Sequence, residues 1–238
     1  MRDQPEQQAP PVQRLRVRYA KRGRLRFTSH RDFSRAFERA VARARIPMAY
    51  SSGFHPHPRI SYAGAAPTGA ASEAEYLEIG LAQRVDPDSV RDALARSLPD
   101  GLDVVEVAES RGPALADLLT ASRWTLEVPV EAAALRSAVA AFLAADTVTV
   151  ERMTKKGLRA FDCRAAVVSL VVEPSDPPLL DLVLRHTVPA VRPDDVLTGL
   201  GLVGEDALPA GLGPALVTRL AQGPLDEATG TVGDPLAR

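Results

Sequence analysis

Arg31, Arg35, Arg39 and Arg43 recur at intervals of four, so a helix that holds them lines them along one side. A row of guanidinium forks suits phosphates, because each planar fork can grip two oxygens of one anion. Lys21, Arg22 and Arg24 extend the positive charge upstream. Ser29 and His30 open the same stretch, at a helix start that favours a bound anion and a neutral imidazole. His30 is thus also the candidate general acid or base for RNA cleavage. Downstream, Gly53-Phe54-His55-Pro56-His57-Pro58 carries two histidines on a backbone that its prolines force to be extended. Alternate residues of such a chain point the same way, so both imidazoles can face one ligand. A metal needs at least one further ligand, and nothing nearby has metal-ligand spacing. The loop reads as a rigid presenter of His and Phe to a partner or ligand, with plain packing as the competing reading.

The remaining reactive residues point away from catalysis. Cys163 is the only cysteine, which excludes an intrachain disulfide and cannot by itself hold an iron–sulfur cluster. It fits a reducing compartment and reads as a small strand residue. No Gly-x-x-x-x-Gly-Lys loop, Gly-x-Gly-x-x-Gly turn or nucleophile elbow occurs. No cofactor and no metal is expected.

The elements that must position these residues follow from periodicity. Ser29 is a good helix cap, with Asp32 three residues on as a shortened capping box. Phe33, Phe37, Val41 and Ala44 form an apolar stripe, and Pro47 ends the helix. Before it, Arg14 to Tyr19 alternates: Leu15, Val17 and Tyr19 inward, Arg14, Arg16 and Arg18 on an exposed basic face. Residues 21–24 read as a turn and Leu25–Phe27 as a short extended piece. Arg59–Ala63 and Glu75–Leu81 read as strands, Asp86 to about Leu98 as a helix, and Leu102–Val107 as a strand. The order strand, helix, strand, strand, helix, strand is the split βαβ, or ferredoxin-like, pattern.

That order recurs. Trp124–Val130 (strand), Glu131–Ala145 (helix) and Thr147–Met153 (strand) are followed by extended segments at Phe161–Val172 and Leu179–His186. A helix at Pro193–Leu202 and a strand at Gly213–Leu220 complete it. The expected fold class is α+β, with two ferredoxin-like domains in tandem. The boundaries are a disordered leader at 1–12, a basic domain at 13–110, a second domain at 122–221 and a disordered tail at 222–238.

Charge is uneven along the 238 residues. Residues 1–60 hold 14 Lys+Arg and 4 Asp+Glu, leaving 15 and 26 for the remainder, although the net charge is only −1. Such asymmetry points to a polyanion at the N-terminal end. Against it, lysine occurs only at 21, 155 and 156, so arginine abundance is also a compositional habit. No apolar run approaches the roughly 20 residues of a membrane helix, and no secretory signal is visible. The expectation is a cytoplasmic protein with no membrane partner.

Several of these segments together resemble a known family. Thr28-Ser29-His30-Arg31-Asp32, Arg35-Ala36-Phe37-Glu38-Arg39-Ala40, residues 52–58 and Ser72-Glu73-Ala74-Glu75-Tyr76-Leu77 are similar to the radical SAM-linked domain of unknown function, DUF2344. Thr154 to Gly157 and Phe161 to Arg164 resemble its second block. The resemblance implies a stand-alone version encoded beside a radical SAM enzyme, since the chain lacks that enzyme's Cys-x-x-x-Cys-x-x-Cys motif. It adds Glu73 and Glu75 to the candidate partner loop. More remotely, the order of these motifs is similar to CRISPR repeat-processing endoribonucleases, which pair two ferredoxin-like domains and bind RNA. The expected function is a non-catalytic RNA-binding or substrate-presenting accessory protein. The alternatives are a metal-free endoribonuclease using His30, or a protein-docking scaffold.

Overall fold

Ser29 starts the first helix as its residue type requires. In the computed structural model its hydroxyl accepts the Asp32 N–H at 3.2 Å and donates to the Asp32 carboxylate at 2.7 Å. The structure describes residues 7–154, 157–204 and 216–237. The chain divides into two units, Met1–Leu118 with Leu236–Arg238, and Leu119–Pro235. It is a mixed α+β protein with five helices and twelve strands among the described residues.

The first unit runs β1 (Gln13–Lys21), α1 (His30–Arg43), β2 (Ile60–Ala63), β3 (Ala71–Leu81), α2 (Pro87–Ala95), β4 (Leu102–Glu109) and the short α3 (Leu115–Leu118). Its sheet has the order β4-β1-β3-β2, each neighbouring pair antiparallel. Leu15, Val17, Phe33, Phe37, Val41, Leu77 and Ile79 share one buried core, as alternation and helical spacing required. The rings of Tyr19 and Phe33 stack at 4.4 Å, and Phe33 leans on Phe37 at 5.8 Å.

Three local expectations for this unit need correction. Leu25–Phe27 is not extended, because Gly23–Phe27 forms a 3-10 turn. Gly23 supplies a positive φ of 53°, and Leu25 and Thr28 donate to carbonyls three residues back. Helix α1 stops before Pro47: Arg45 takes the left-handed conformation (φ 53°), and the Ile46 N–H bonds the Val41 carbonyl. The arginine face of β1 is not uniformly exposed. Arg16 is 4% exposed, with its guanidinium against the Pro113 carbonyl and Glu78, because residues 110–118 fold over that side.

The second unit runs β5 (Ala121–Glu127), α4 (Ala132–Ala144), β6 (Thr149–Thr154), β7 (Gly157–Asp162), β8 (Val167–Glu173), β9 (Leu179–Arg185), α5 (Pro193–Val203) and β10 (Leu216–Gly223). Its sheet order is β10-β5-β9-β8, again antiparallel. The strand expected at Thr147–Met153 does not join that sheet. It pairs with β7 as a separate hairpin, and β8 takes the sheet edge instead. The segment read as continuous over Phe161–Val172 is broken by a 3-10 turn at Arg164–Ala166, where Asp162 accepts the Arg164 N–H.

Gly199 marks how closely α5 approaches this core. A Cβ there would lie 2.8 Å from Cys163 Sγ and 2.9 Å from the Phe142 ring. Cys163 is fully buried, and burial pushes its thiol pKa up to about 12.

The two expected disordered ends behave differently from that expectation where they are described. In the leader, residues 1–6 lie outside the described residues, while Gln8 and Val12 donate to Ser52 and Leu81. The tail carries β11 (Leu225–Asp226) paired with β12 (Thr231–Val232). Its Gly and Asp residues serve a turn: the Asp226 carboxylate accepts the Ala228 N–H at 2.9 Å, and Gly230 has φ 70°. Of the last expected strand, residues 213–215 lie outside the described residues and the rest belongs to β10.

Candidate nucleic-acid interface

Helix α1 buries Phe33, Phe37, Ala40 and Val41 and turns its other side outward. Arg31, Arg35, Arg39 and Arg43 are all exposed on it. Among the described residues no acid forms an ion pair with Arg31, Arg35 or Arg39, and Arg43 only reaches the Ser97 carbonyl at 3.4 Å. Arg31, Arg35 and Arg39 are thus guanidinium forks without an acidic partner among the described residues, on a helix packed against the core.

The other basic candidates are engaged. Arg22 forms ion pairs with Glu73 and with Asp103, the latter at 2.8 Å, and the Glu73 carboxylate holds its guanidinium firmly protonated. Lys21 is 5% exposed, with Nζ 3.5 Å from the Pro67 carbonyl, so it is not the surface cation that its sequence neighbours suggest. Arg14 pairs with Glu78 at 3.2 Å, and Arg18 donates to the Glu73 carbonyl at 3.0 Å. Arg24 stays exposed, without an acidic partner among the described residues. On β1, Arg14 and Arg16 are paired with Glu78, whereas no acid pairs with Arg31, Arg35 or Arg39 of α1 among the described residues.

The acids Glu73 and Glu75 have structural partners. Glu73 clamps Arg22, and buried Glu75 accepts the Ala66 N–H, which fixes the loop between β2 and β3. Neither is on the loop at 53–58. That loop is tied at its base: Ser51 donates to the His57 carbonyl at 2.9 Å, and the His57 N–H bonds Ser51 Oγ at 3.0 Å. Arg59 closes it by donating to the Tyr50 carbonyl at 3.0 Å. Gly53 (φ 132°) makes the bend, and Phe54, His55, Pro56 and His57 stand exposed, Phe54 by 66%. Pro58, half-buried, bridges back to Tyr50.

His30 sits in the first turn of α1, its ring edge-on to Tyr62 at 4.8 Å. The nearest polar neighbours do not supply a nucleophile: Ser29 is spent on the cap, and Ser34 donates to the His30 carbonyl at 2.9 Å. Burial raises the Tyr62 hydroxyl above its usual range, helped by the Glu38 charge. A cleft of about 520 Å³ lies beside Arg14, Tyr62, Glu78, Ser110 and Leu115, but its charges are paired internally. Among the described residues no group of three or more His, Cys, Asp or Glu is placed to hold a metal ion. None of the described helices is long and apolar enough to cross a membrane.

Two groupings were not anticipated. Phe27 is 58% exposed with the Arg26 guanidinium 4.6 Å over its ring, although the extended reading gave it no surface role. The signal was present in Gly23: a 3-10 turn separates Leu25 and Phe27 by about 240°, whereas a strand would align them. In the second unit, the His186 ring contacts the Leu119 carbonyl through Nδ1 at 2.7 Å and Ser122 Oγ through Nε2 at 3.1 Å, although the residue as a whole is exposed. A carbonyl only accepts, so Nδ1 carries the proton and Ser122 donates to Nε2. Ser122 in turn accepts the Trp124 indole N–H at 2.8 Å. Ser122 is only 2% exposed and Trp124 4%, so these bonds tie the exposed His186 to the core of the unit.

Comparison with known proteins gives a family and distant structural likenesses. The family described as "Uncharacterized protein conserved in bacteria (DUF2344)" matches residues 14–193. No curated protein matches the chain. A solved structure described as "Crystal Structure of a Cbf5-Nop10-Gar1 Complex" is similar at 9% identity and a TM-score of 0.48. That likeness covers 92% of this chain and 55% of the other, and at this level it carries no argument.

Proposed function

The chain belongs to DUF2344, a family of uncharacterized proteins conserved in bacteria, and from that premise we propose that it is an RNA-binding accessory protein without catalytic activity of its own. One observation carries the reading. Arg31, Arg35 and Arg39 stand exposed and without acidic partners on a helix whose opposite side is core, while Arg14, Arg16 and Arg22 are held by acids. Free guanidinium groups at one-turn spacing suit successive phosphates of a nucleic-acid backbone. Of the two exposed acids of α1, Asp32 is engaged by the Ser29 cap and Glu38 alone stands among the arginines, so the face keeps an excess of positive charge.

The strand orders β4-β1-β3-β2 and β10-β5-β9-β8 support reading each unit as a ferredoxin-like split βαβ, the second with the β6–β7 hairpin inserted after its first helix. On that reading α1 lies on one face of the first sheet and presents its arginines away from it. The partner assigned to the chain is a separately encoded radical SAM enzyme, a role that rests on the motif resemblance alone. The loop from Gly53 to Pro58, with exposed Phe54, is the surface offered to it. The reaction compartment is the cytoplasm.

The deciding experiment is binding of structured RNA by the purified full chain across a salt series, with sequencing of RNA crosslinked to it in cells. Affinity that falls steeply with salt is the expected result. A protein that binds no RNA at low salt would remove this function.

A further inference from the structure

We propose that Phe27, backed by Arg26, is a stacking platform for one unpaired base of the bound RNA, an inference that rests on the RNA reading above. A phenylalanine that is 58% exposed gains little from the fold. Yet this one is held in place from several sides. The Thr28 N–H bonds the Leu25 carbonyl at 2.9 Å and closes the 3-10 turn beneath it. The Gly69 N–H bonds the Arg26 carbonyl at 2.8 Å, and a Cβ at Gly69 would lie 3.9 Å from the Phe27 ring edge. Upstream, Arg22 anchors the turn through Glu73 and Asp103, and its N–H bonds the Gly101 carbonyl at 2.8 Å. The turn therefore presents an aromatic ring on a fixed backbone.

The electrostatics select the occupant. Arg26 covers the ring at 4.6 Å, while Arg24 and Arg31 flank it in sequence. Among the described residues none of these three is paired with an acid. The nearest acid in sequence, Asp32, is engaged by Ser29. An aromatic ring with a guanidinium on it and free cations beside it matches a nucleobase and its phosphates. Stacking demands a free base face, which a paired stem does not offer at its interior. The ligand class is thus RNA in which an unpaired nucleotide adjoins a structured segment gripped by α1.

The test uses the full chain with two RNA probes: a fully paired stem, and the same stem with a single-stranded overhang. The parent should prefer the overhang probe by about 10-fold, a stacking contribution of ordinary size. Phe27→Ala should abolish that preference and leave affinity for the paired stem, and its salt dependence, unchanged. Phe27→Trp should restore it, which also shows that the turn tolerates substitution. If Phe27→Ala keeps the preference, or the parent binds both probes equally, the platform is refuted while the RNA reading stands. If the parent binds neither probe, both fall together.

Discussion

The imidazole of His30 stands edge-on to the ring of Tyr62, with centroids 4.8 Å apart and planes at 89°. This contact gives His30 a packing partner in the first turn of α1. His30→Ala should lower stability by at most about 1 kcal/mol, the scale of one aromatic pair at an exposed site. Purified protein incubated with total RNA should give no specific cleavage. Site-specific cuts that vanish in His30→Ala would instead establish the ribonuclease alternative.

The α1 arginines should dominate the salt dependence of RNA binding. Arg35→Ala with Arg39→Ala should weaken binding and lower the log–log salt slope by about 1.5, two lost phosphate contacts on the counterion-release estimate. Arg14→Ala with Arg18→Ala should change both much less, because those groups already bond Glu78 and the Glu73 carbonyl. Arg16 is unsuitable for this comparison. It is buried, and its removal would leave Glu78 in a disrupted network.

Phe37 is fully buried in the core of the first unit. Phe37→Ala should cost about 3–5 kcal/mol, combining lost transfer energy with a cavity. Denaturant unfolding of the full chain measures it. A loss below about 1 kcal/mol would contradict the packing of α1 on the sheet.

Arg45 offers a stabilising change. It holds the left-handed conformation at the end of α1, where glycine pays no steric penalty. Arg45→Gly should raise stability by roughly 1 kcal/mol. An unchanged or lower unfolding midpoint would show that the Arg45 side chain contributes more than its backbone strain.

His186 makes the second unit acid-sensitive. Partial desolvation of its ring nitrogens, with Arg219 nearby, holds its pKa below the usual histidine value of 6.5, and the exposure of the residue keeps the effect small. The unfolded chain therefore binds the proton more readily, and stability rises with pH in this window. The contribution is complete above about pH 6.5 and is lost as pH falls through the depressed folded value. Urea midpoints followed by Trp124 fluorescence should show this decline, and His186→Asn should remove it from a lower plateau.

The sequence disclosed the first unit better than the second for a physical reason. Leu15, Val17, Phe33, Phe37, Leu77 and Ile79 belong to strands or a helix with one buried and one open side, so periodicity reports their positions. The β6–β7 hairpin defeats the same logic. Its residues alternate like any strand, but their partners are each other, which composition cannot reveal. At the candidate interface, the spacing of Arg31, Arg35, Arg39 and Arg43 was legible because helical phase is local. The engagement of Lys21 and Arg22 was not, because Pro67, Glu73 and Asp103 lie tens of residues away along the chain. Phe27 was misplaced because one glycine with positive φ converts an apparent strand into a turn.

The seal that Gly199 permits around Cys163 has a practical corollary for anyone building reporters on this protein. With Cys163 fully buried and its thiol pushed up to about 12, the native chain should behave toward maleimides as though it contained no cysteine. A new thiol at an outward position such as Phe54 can then be dye-labelled selectively in the otherwise unaltered sequence. Energy transfer between a dye on the 53–58 loop and one on an RNA probe would report how far the proposed partner surface stands from the bound strand, without any substitution in either core.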